Sequence, residues 1–247
     1  MAYWVIKGIL KPILRGLYHI RVDGMRNIPR KGAAIIAANH LSFLDSFFIP
    51  LVVKRRKLTY LAKADYFKNW KTAWFFRMVG QIPVERDDKE QAQRALTTGL
   101  EVLRAGKMLG IYPEGTRSPD GRLYRGRTGV ARLALAAGVP VIPCGLVGTE
   151  DVMPKAAKLP RFRDGEGRID VNVKFGMPLD LARYRDRQSD RFVLRSVTDE
   201  IMYEIMQLSG QHYVDEYASR TATEVLPESA RPPIEDDIVL SEEILAG

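Results

Sequence analysis

The chain has 247 residues, 46% hydrophobic and 28% charged, which suits one domain of ordinary size with a substantial core. A mean hydropathy of −0.17, and no run near the ~18 apolar residues a spanning helix needs, exclude a body embedded in lipid. A single cysteine, Cys144, excludes an internal disulfide and fits a reducing compartment. Lys7, Lys11 and Arg15 interrupt the apolar stretch a signal peptide would need, so the protein is expected inside the cell.

Net charge is +8 but unevenly spread. Residues 221–247 hold seven acids against Arg231 alone, a net of −6, so the preceding residues carry +14. A body this basic calls for an anionic partner: nucleic acid, an anionic lipid surface or a phosphorylated substrate.

The first predicted element is an amphipathic helix over Tyr3–Tyr18. Its apolar residues fall at 3, 5, 6, 9, 10, 13, 14 and 17, with Lys7, Lys11 and Arg15 along one flank. With Tyr3 and Trp4 at one end, it suits a helix lying in the headgroup layer, and equally an ordinary helix docked on a core. Strands and helices then alternate. Strands are expected at Ala33–Ala38, Leu58–Ala62, Gln81–Val84, Met108–Tyr112, Val141–Val147 and Ile169–Phe175. Helices are expected from about Ser46 and over Thr72–Val79, Lys89–Ala105, Val130–Ala137 and Asp190–Ser209. This order predicts an α/β domain with a mixed, largely parallel sheet flanked by helices, and ligands at the carboxyl ends of its strands. The predicted divisions are the helix (1–20), the α/β body (21–220) and an acidic, flexible tail (221–247) containing Pro227, Pro232 and Pro233.

Three loops carry polar residues that a plain connection would not need. In Asn39–Asp45, His40 ends a buried strand and Asp45 stands five residues on. If the loop turns back, the carboxylate accepts from one imidazole nitrogen and leaves the other as a base. A structural histidine with Asp45 as helix cap has the same spacing. The other histidines, His19 and His212, are distant in sequence, which disfavours a metal site, and no G-x-S-x-G elbow marks a serine hydrolase. In Tyr112–Ser118, Gly115 permits a positive φ and Arg117 offers a planar fork for phosphate, although a salt-bridged turn has the same composition. Arg86 ends the Gln81–Val84 strand region and Lys63 follows the Leu58–Ala62 strand, adding cations at the same sheet edge. The Lys54–Lys57 run reads as a contact for anionic lipid or donor phosphates, or as a solvated loop.

Taken in order, NHLSFLD (Asn39–Asp45), GQIPVER (Gly80–Arg86), YPEGTRS (Tyr112–Ser118) and VPVIPCG (Val139–Gly145) resemble the four blocks of the glycerolipid acyltransferase family. That family includes 1-acylglycerol-3-phosphate and glycerol-3-phosphate acyltransferases. Tyr112 stands where the family often has Phe, and Pro83-Val84-Glu85 departs from its bulkier second block. The resemblance implies that His40 deprotonates an acceptor hydroxyl while Asp45 fixes its tautomer and stabilises the imidazolium. It implies direct attack on an acyl thioester, supplied by acyl-CoA or acyl carrier protein as co-substrate, with an oxyanion hole and no cofactor or metal. Lys63, Arg86, Glu114, Gly115, Thr116 and Arg117 are the implied phosphate site. The expected acceptor is 1-acylglycerol-3-phosphate, giving phosphatidic acid. Glycerol 3-phosphate and other lysophospholipid or glycolipid hydroxyls are alternatives within the same chemistry. The expected setting is an anionic membrane surface at the cytoplasmic face of the cell membrane. From a different class, a non-catalytic lipid- or nucleic-acid-binding module would also use the basic body. No helix-turn-helix, zinc-finger or RNA-binding motif accompanies that charge, so no nucleic-acid partner is expected.

Overall fold

The computed structural model describes residues 2–78, 80–84, 89–157 and 159–218. Helix α1 (Ala2–Leu17) leads into β1 (His19–Asp23), a strand the hydropathy pattern does not predict. Then β2 (Ala34–Ala38), α2 (Asp45–Val52), β3 (Leu58–Lys63), α3 (Trp70–Met78), β4 (Ile82–Val84), α4 (Lys89–Arg104) and β5 (Met108–Ile111) follow one another. The short strand β6 (Leu123–Tyr124) precedes α5 (Gly129–Ala137), β7 (Val141–Val147) and the one-turn helix α6 (Thr149–Val152). A hairpin of β8 (Arg163–Asp164) and β9 (Gly167–Arg168) leads to β10 (Asp170–Phe175), α7 (Arg191–Ser209) and β11 (Tyr213–Val214). The predicted acidic tail and Arg86 lie outside the described residues.

Among the described residues, seven strands form one sheet in the order β1-β10-β7-β2-β5-β3-β4. Every neighbouring pair is parallel except β10 with β7. The sheet is therefore mixed and largely parallel, as the alternation predicts. Central β2, Ala-Ile-Ile-Ala-Ala, is buried at all five positions, because a strand covered by helices on both faces must be apolar throughout. β10 buries only alternate residues, Val171, Val173 and Phe175.

Side-chain alternation splits the core in two. Ile36, Tyr60, Met108 and Ile142 pack with Phe48 and Ile49 of α2 on one face. Ile35, Leu109 and Val141 pack on the other with Leu100 and Leu103 of α4, Leu133 of α5 and Ile201 and Ile205 of α7. Helix α7 reaches the backbone of β7 because residue 145 is glycine: a Cβ there would stand 2.6 Å from the Leu208 carbonyl carbon.

Helix α1 turns one side to the body and one to the outside. Tyr3 is buried, and Leu14 and Leu17 pack on the core. Trp4, Val5, Ile9 and Ile13 are exposed, forming an outer apolar stripe. Lys7 does not join the outer basic flank. Its ammonium donates to the Pro50 carbonyl at 2.6 Å and to the Val53 carbonyl, the unsatisfied carboxyl end of α2, where a cation is favoured. Burial, helped by Lys11, lowers its pKa to about 8. No described helix is long and apolar enough to cross a membrane.

Candidate active site

β2, β5 and β3 run parallel, so the loops after β2 and β5 emerge at one edge of the sheet beside the end of β3. The first begins with Asn39, which continues the strand's pairing with its side chain. Its Oδ1 accepts from the Leu146 amide at 2.7 Å and its Nδ2 donates to the Leu146 carbonyl at 2.9 Å. Strand β7, one residue past the fourth sequence block, thereby fixes the residue before His40.

The chain then bends back to Asp45, the first residue of α2 and fully buried. Its Oδ2 accepts from Leu41 N, Ser42 N and His40 Nδ1, each at 2.8 Å. Two amides and the start of a helix thus hold the Asp45 side chain in place beside His40. Because Nδ1 is engaged, Nε2 is the imidazole atom left to the cavity that His40 lines.

The second loop grips the backbone of His40. Its amide donates to Glu114 Oε1 at 3.0 Å, and its carbonyl accepts from the Ser118 amide at 2.7 Å. The other Glu114 oxygen accepts from the Tyr124 amide at 3.0 Å. Glu114 thus ties the two loops to β6, with both oxygens engaged by amides. Burial is the larger influence on its acidity and raises its pKa to about 7, against the lowering effect of the two amides.

The imidazole face is covered as well. Tyr112 stacks on it, with centroids 3.9 Å apart and planes 10° from parallel, and Tyr60 stacks on Tyr112 at 5.3 Å. The Tyr112 hydroxyl, absent where the family has Phe, finds Ser46 Oγ of α2 at 3.0 Å. Gly110 makes room for the column, since a Cβ there would fall 2.4 Å from the Tyr60 ring. Beneath the site, Cys144 is fully buried and burial pushes its thiol up, so it stays protonated and unreactive.

These loops open on a cavity of about 650 Å³. On one side of the sheet edge it is walled by α1, α2 and α3, through Ile6, Leu10, Phe47, Leu51 and Phe76. On the other it reaches α4 and α5, with Ala95, Arg132 and Leu133. Glu114, Gly115, Thr116 and Arg117 form part of its wall beside His40. Lys63 closes β3 opposite Val84 of β4, one strand from β5. The Lys54–Lys57 run is not simply a solvated loop: Arg56 donates to the carbonyls of Pro29 and Gly106, and Lys57 lies over the Tyr3 ring.

The family model described as Acyltransferase matches residues 19–147, a span that contains all four sequence blocks. The chain belongs to the glycerolipid acyltransferase family. It is 33% identical over 142 residues to a chloroplastic 1-acyl-sn-glycerol-3-phosphate acyltransferase of Arabidopsis thaliana, a stretch covering 57% of this chain and 39% of that protein. The match thus spans about two fifths of this plant relative's length. A 1-acyl-sn-glycerol-3-phosphate acyltransferase of Bacillus subtilis is 26% identical over 210 residues, 85% of this chain and 98% of that protein. Among solved structures, the 1-acyl-sn-glycerophosphate (LPA) acyltransferase PlsC from Thermotoga maritima matches with a TM-score of 0.58 and 27% identity. That match covers 77% of this chain and 72% of the other.

Two residues of this site are not legible as site residues in the sequence. Tyr60 sits inside an apolar strand, and its only signal is the small Gly110 opposite. Gln211 lies past the last helix, yet its side-chain oxygen accepts from Asn39 Nδ2 at 2.7 Å. Glu114 reads as a candidate contact in the phosphate loop, and its carboxylate is found bridging two backbone amides.

The raised pKa of Glu114 has a measurable consequence. Its folded value of about 7 lies above the unfolded 4.5, so the folded chain holds an extra proton between them. This group's stabilising contribution is full below about pH 4.5 and is lost as pH rises through 7, a change on the order of 3 kcal/mol. Urea unfolding of wild type should therefore lose stability from pH 5 to 8 relative to Glu114→Gln, which cannot ionise. Parallel pH profiles would contradict this.

Proposed function

We propose that the protein is an O-acyltransferase that moves a fatty acyl group from a thioester donor to the free hydroxyl of 1-acylglycerol-3-phosphate, giving phosphatidic acid. The observation that carries the reading is His40, held through Nδ1 by a buried, triply bonded Asp45 and facing a cavity with apolar walls and Arg117. The relatives named above share this activity in their names.

In this reading Nε2 of His40 takes the proton of the acceptor hydroxyl as the oxygen attacks the thioester carbonyl. Asp45 keeps the imidazole in the required tautomer and stabilises the positive charge it gains, while the Tyr112 ring holds its plane. The new C–O bond forms, the C–S bond breaks, and the thiolate leaves and takes up the proton. A thiol with a pKa around 8.5 leaves more readily than an alkoxide, so a modest proton donor suffices. The unreactive Cys144 offers no nucleophile, in keeping with direct transfer. Acceptor phosphate would be held by Arg117 with Lys63 and Arg86, on a wall shaped by Glu114, Gly115 and Thr116. Fixing that distant group positions the hydroxyl, where much of the rate gain is available. The acyl chain would lie between α1 and α2 along Ile6, Leu10, Phe47 and Leu51.

The same reading puts the protein at an anionic membrane surface on the cytoplasmic face. Trp4, Val5, Ile9 and Ile13 give α1 an outward apolar stripe beside Lys11 and Arg15, while Ile6 and Leu10 of the same helix line the cavity. A lipid acceptor would then travel a short way from bilayer to His40. The basic body and the cavity favour this over nucleic acid.

Replacing His40 by Ala should lower acyl-dependent thiol release by about 10²–10⁴-fold with the fold intact by circular dichroism. Equal release by both proteins would defeat the assignment. Ile9→Glu with Ile13→Glu, at exposed positions, should shift the protein from anionic vesicles to supernatant in a sedimentation assay, and unchanged co-sedimentation would defeat the membrane reading.

A further inference from the structure

Arg127 belongs to none of the four sequence blocks, yet it lines the cavity wall that holds Glu114, Gly115 and Arg117. Its place is defined on three sides. Its amide donates to the Pro113 carbonyl at 2.8 Å, tying it to the phosphate-loop turn. Gly115, at φ +74°, supplies the space beside it: a Cβ there would stand 3.1 Å from Arg127 Nε and 3.2 Å from its Cδ. Behind it, the guanidinium carbon lies 5.4 Å from the centroid of Tyr217, within the range of a cation–π contact.

Tyr217 comes from the segment after α7, bound firmly across this loop. β11 pairs with β6, and the Arg125 amide donates to the Glu216 carbonyl at 2.9 Å. Arg125 rests on the same Tyr217 ring at 5.5 Å, and Ala218 is fully buried. Arg117 and Arg127 thus both line the cavity beside the phosphate-loop turn, while the nearby Glu114 carboxyl is taken up by the amides of His40 and Tyr124. Such a wall attracts a dianion, and two planar forks suit a phosphomonoester better than one.

We propose that Arg127 is a second phosphate-binding residue, which with Arg117 holds a phosphomonoester of a substrate, and that Tyr217 is the positioning residue that sets its guanidinium. The inference rests on the acyl-transfer reading above. The ligand chemistry is a phosphate, carried by the acceptor and by a CoA donor alike, and the test separates the two.

Steady-state kinetics on the full chain, with acyl-CoA and 1-acylglycerol-3-phosphate varied in turn, should show Arg127→Ala raising one KM about tenfold or more, with kcat falling less. The substrate whose KM moves is the one whose phosphate is held. Tyr217→Phe, which keeps the ring face, should match wild type. Tyr217→Leu should reproduce a rise of about threefold in the same KM. Both KM values within about twofold of wild type in Arg127→Ala would overturn the proposal, as would an equal effect of Tyr217→Phe and Tyr217→Leu for the positioning role. Calorimetric titration with glycerol 3-phosphate, without donor, tests the acceptor site apart from transfer. Binding weakened in Arg127→Ala supports that site even in a protein that transfers nothing. Equal binding by wild type and variant, together with an unmoved donor KM, overturns it.

Discussion

The site depends on one buried carboxyl group whose two oxygens both bond backbone amides. Glu114 accepts the amide of His40 with one oxygen and that of Tyr124 with the other, and so locks the loop after β2 to the loop after β5. Desolvation works against this arrangement, as the raised pKa shows. Removing the group would leave two buried amides without acceptors, a loss of roughly 1–3 kcal/mol each. His40 is therefore held at its backbone by Glu114 and Ser118, at Nδ1 by Asp45, and on its ring face by Tyr112. In the proposed reaction, a base so restrained would have little orientation left to lose when substrate binds.

The parallel sheet turns this local grip into a site. Because neighbouring β2 and β5 point the same way, the histidine loop and the arginine loop meet at a single edge, where the cavity opens. The mixed character also matters. β10 runs against β7 and carries β1 at the far edge, away from the cavity. α1 joins the two ends of the proposed chemistry, since one side of it walls the cavity and the other is apolar and exposed. Lys7 ties α1 to the body by bonding carbonyls at the end of α2.

Much of this was readable from residue order. The run Ala33–Ala38 reads as a buried strand, and the His40–Asp45 spacing and Gly115-Thr116-Arg117 mark the two loops. What could not be read came from contacts between residues distant in sequence. Tyr60 has no local sign of stacking on Tyr112. Gln211 and Tyr217 lie in a stretch that reads as a connection after α7, yet they touch Asn39 and Arg127. β1, with alternating half-exposed residues, and the two-residue strands β6 and β11 fall below what periodicity detects. Lys7 and Arg56 read as surface charges because nothing in their spacing reveals that a helix end or a loop carbonyl waits for them.

The central claim, that the His40 site acylates the hydroxyl of a phosphorylated glycerolipid, is tested most directly by competition. Glycerol 3-phosphate, 1-acylglycerol-3-phosphate and unphosphorylated monoacylglycerol are offered together with one acyl thioester, and the products are resolved by mass spectrometry. The account predicts phosphatidic acid as the dominant product, with monoacylglycerol left unchanged. Acylation of monoacylglycerol at an equal rate, or no acylated product at all, would contradict it.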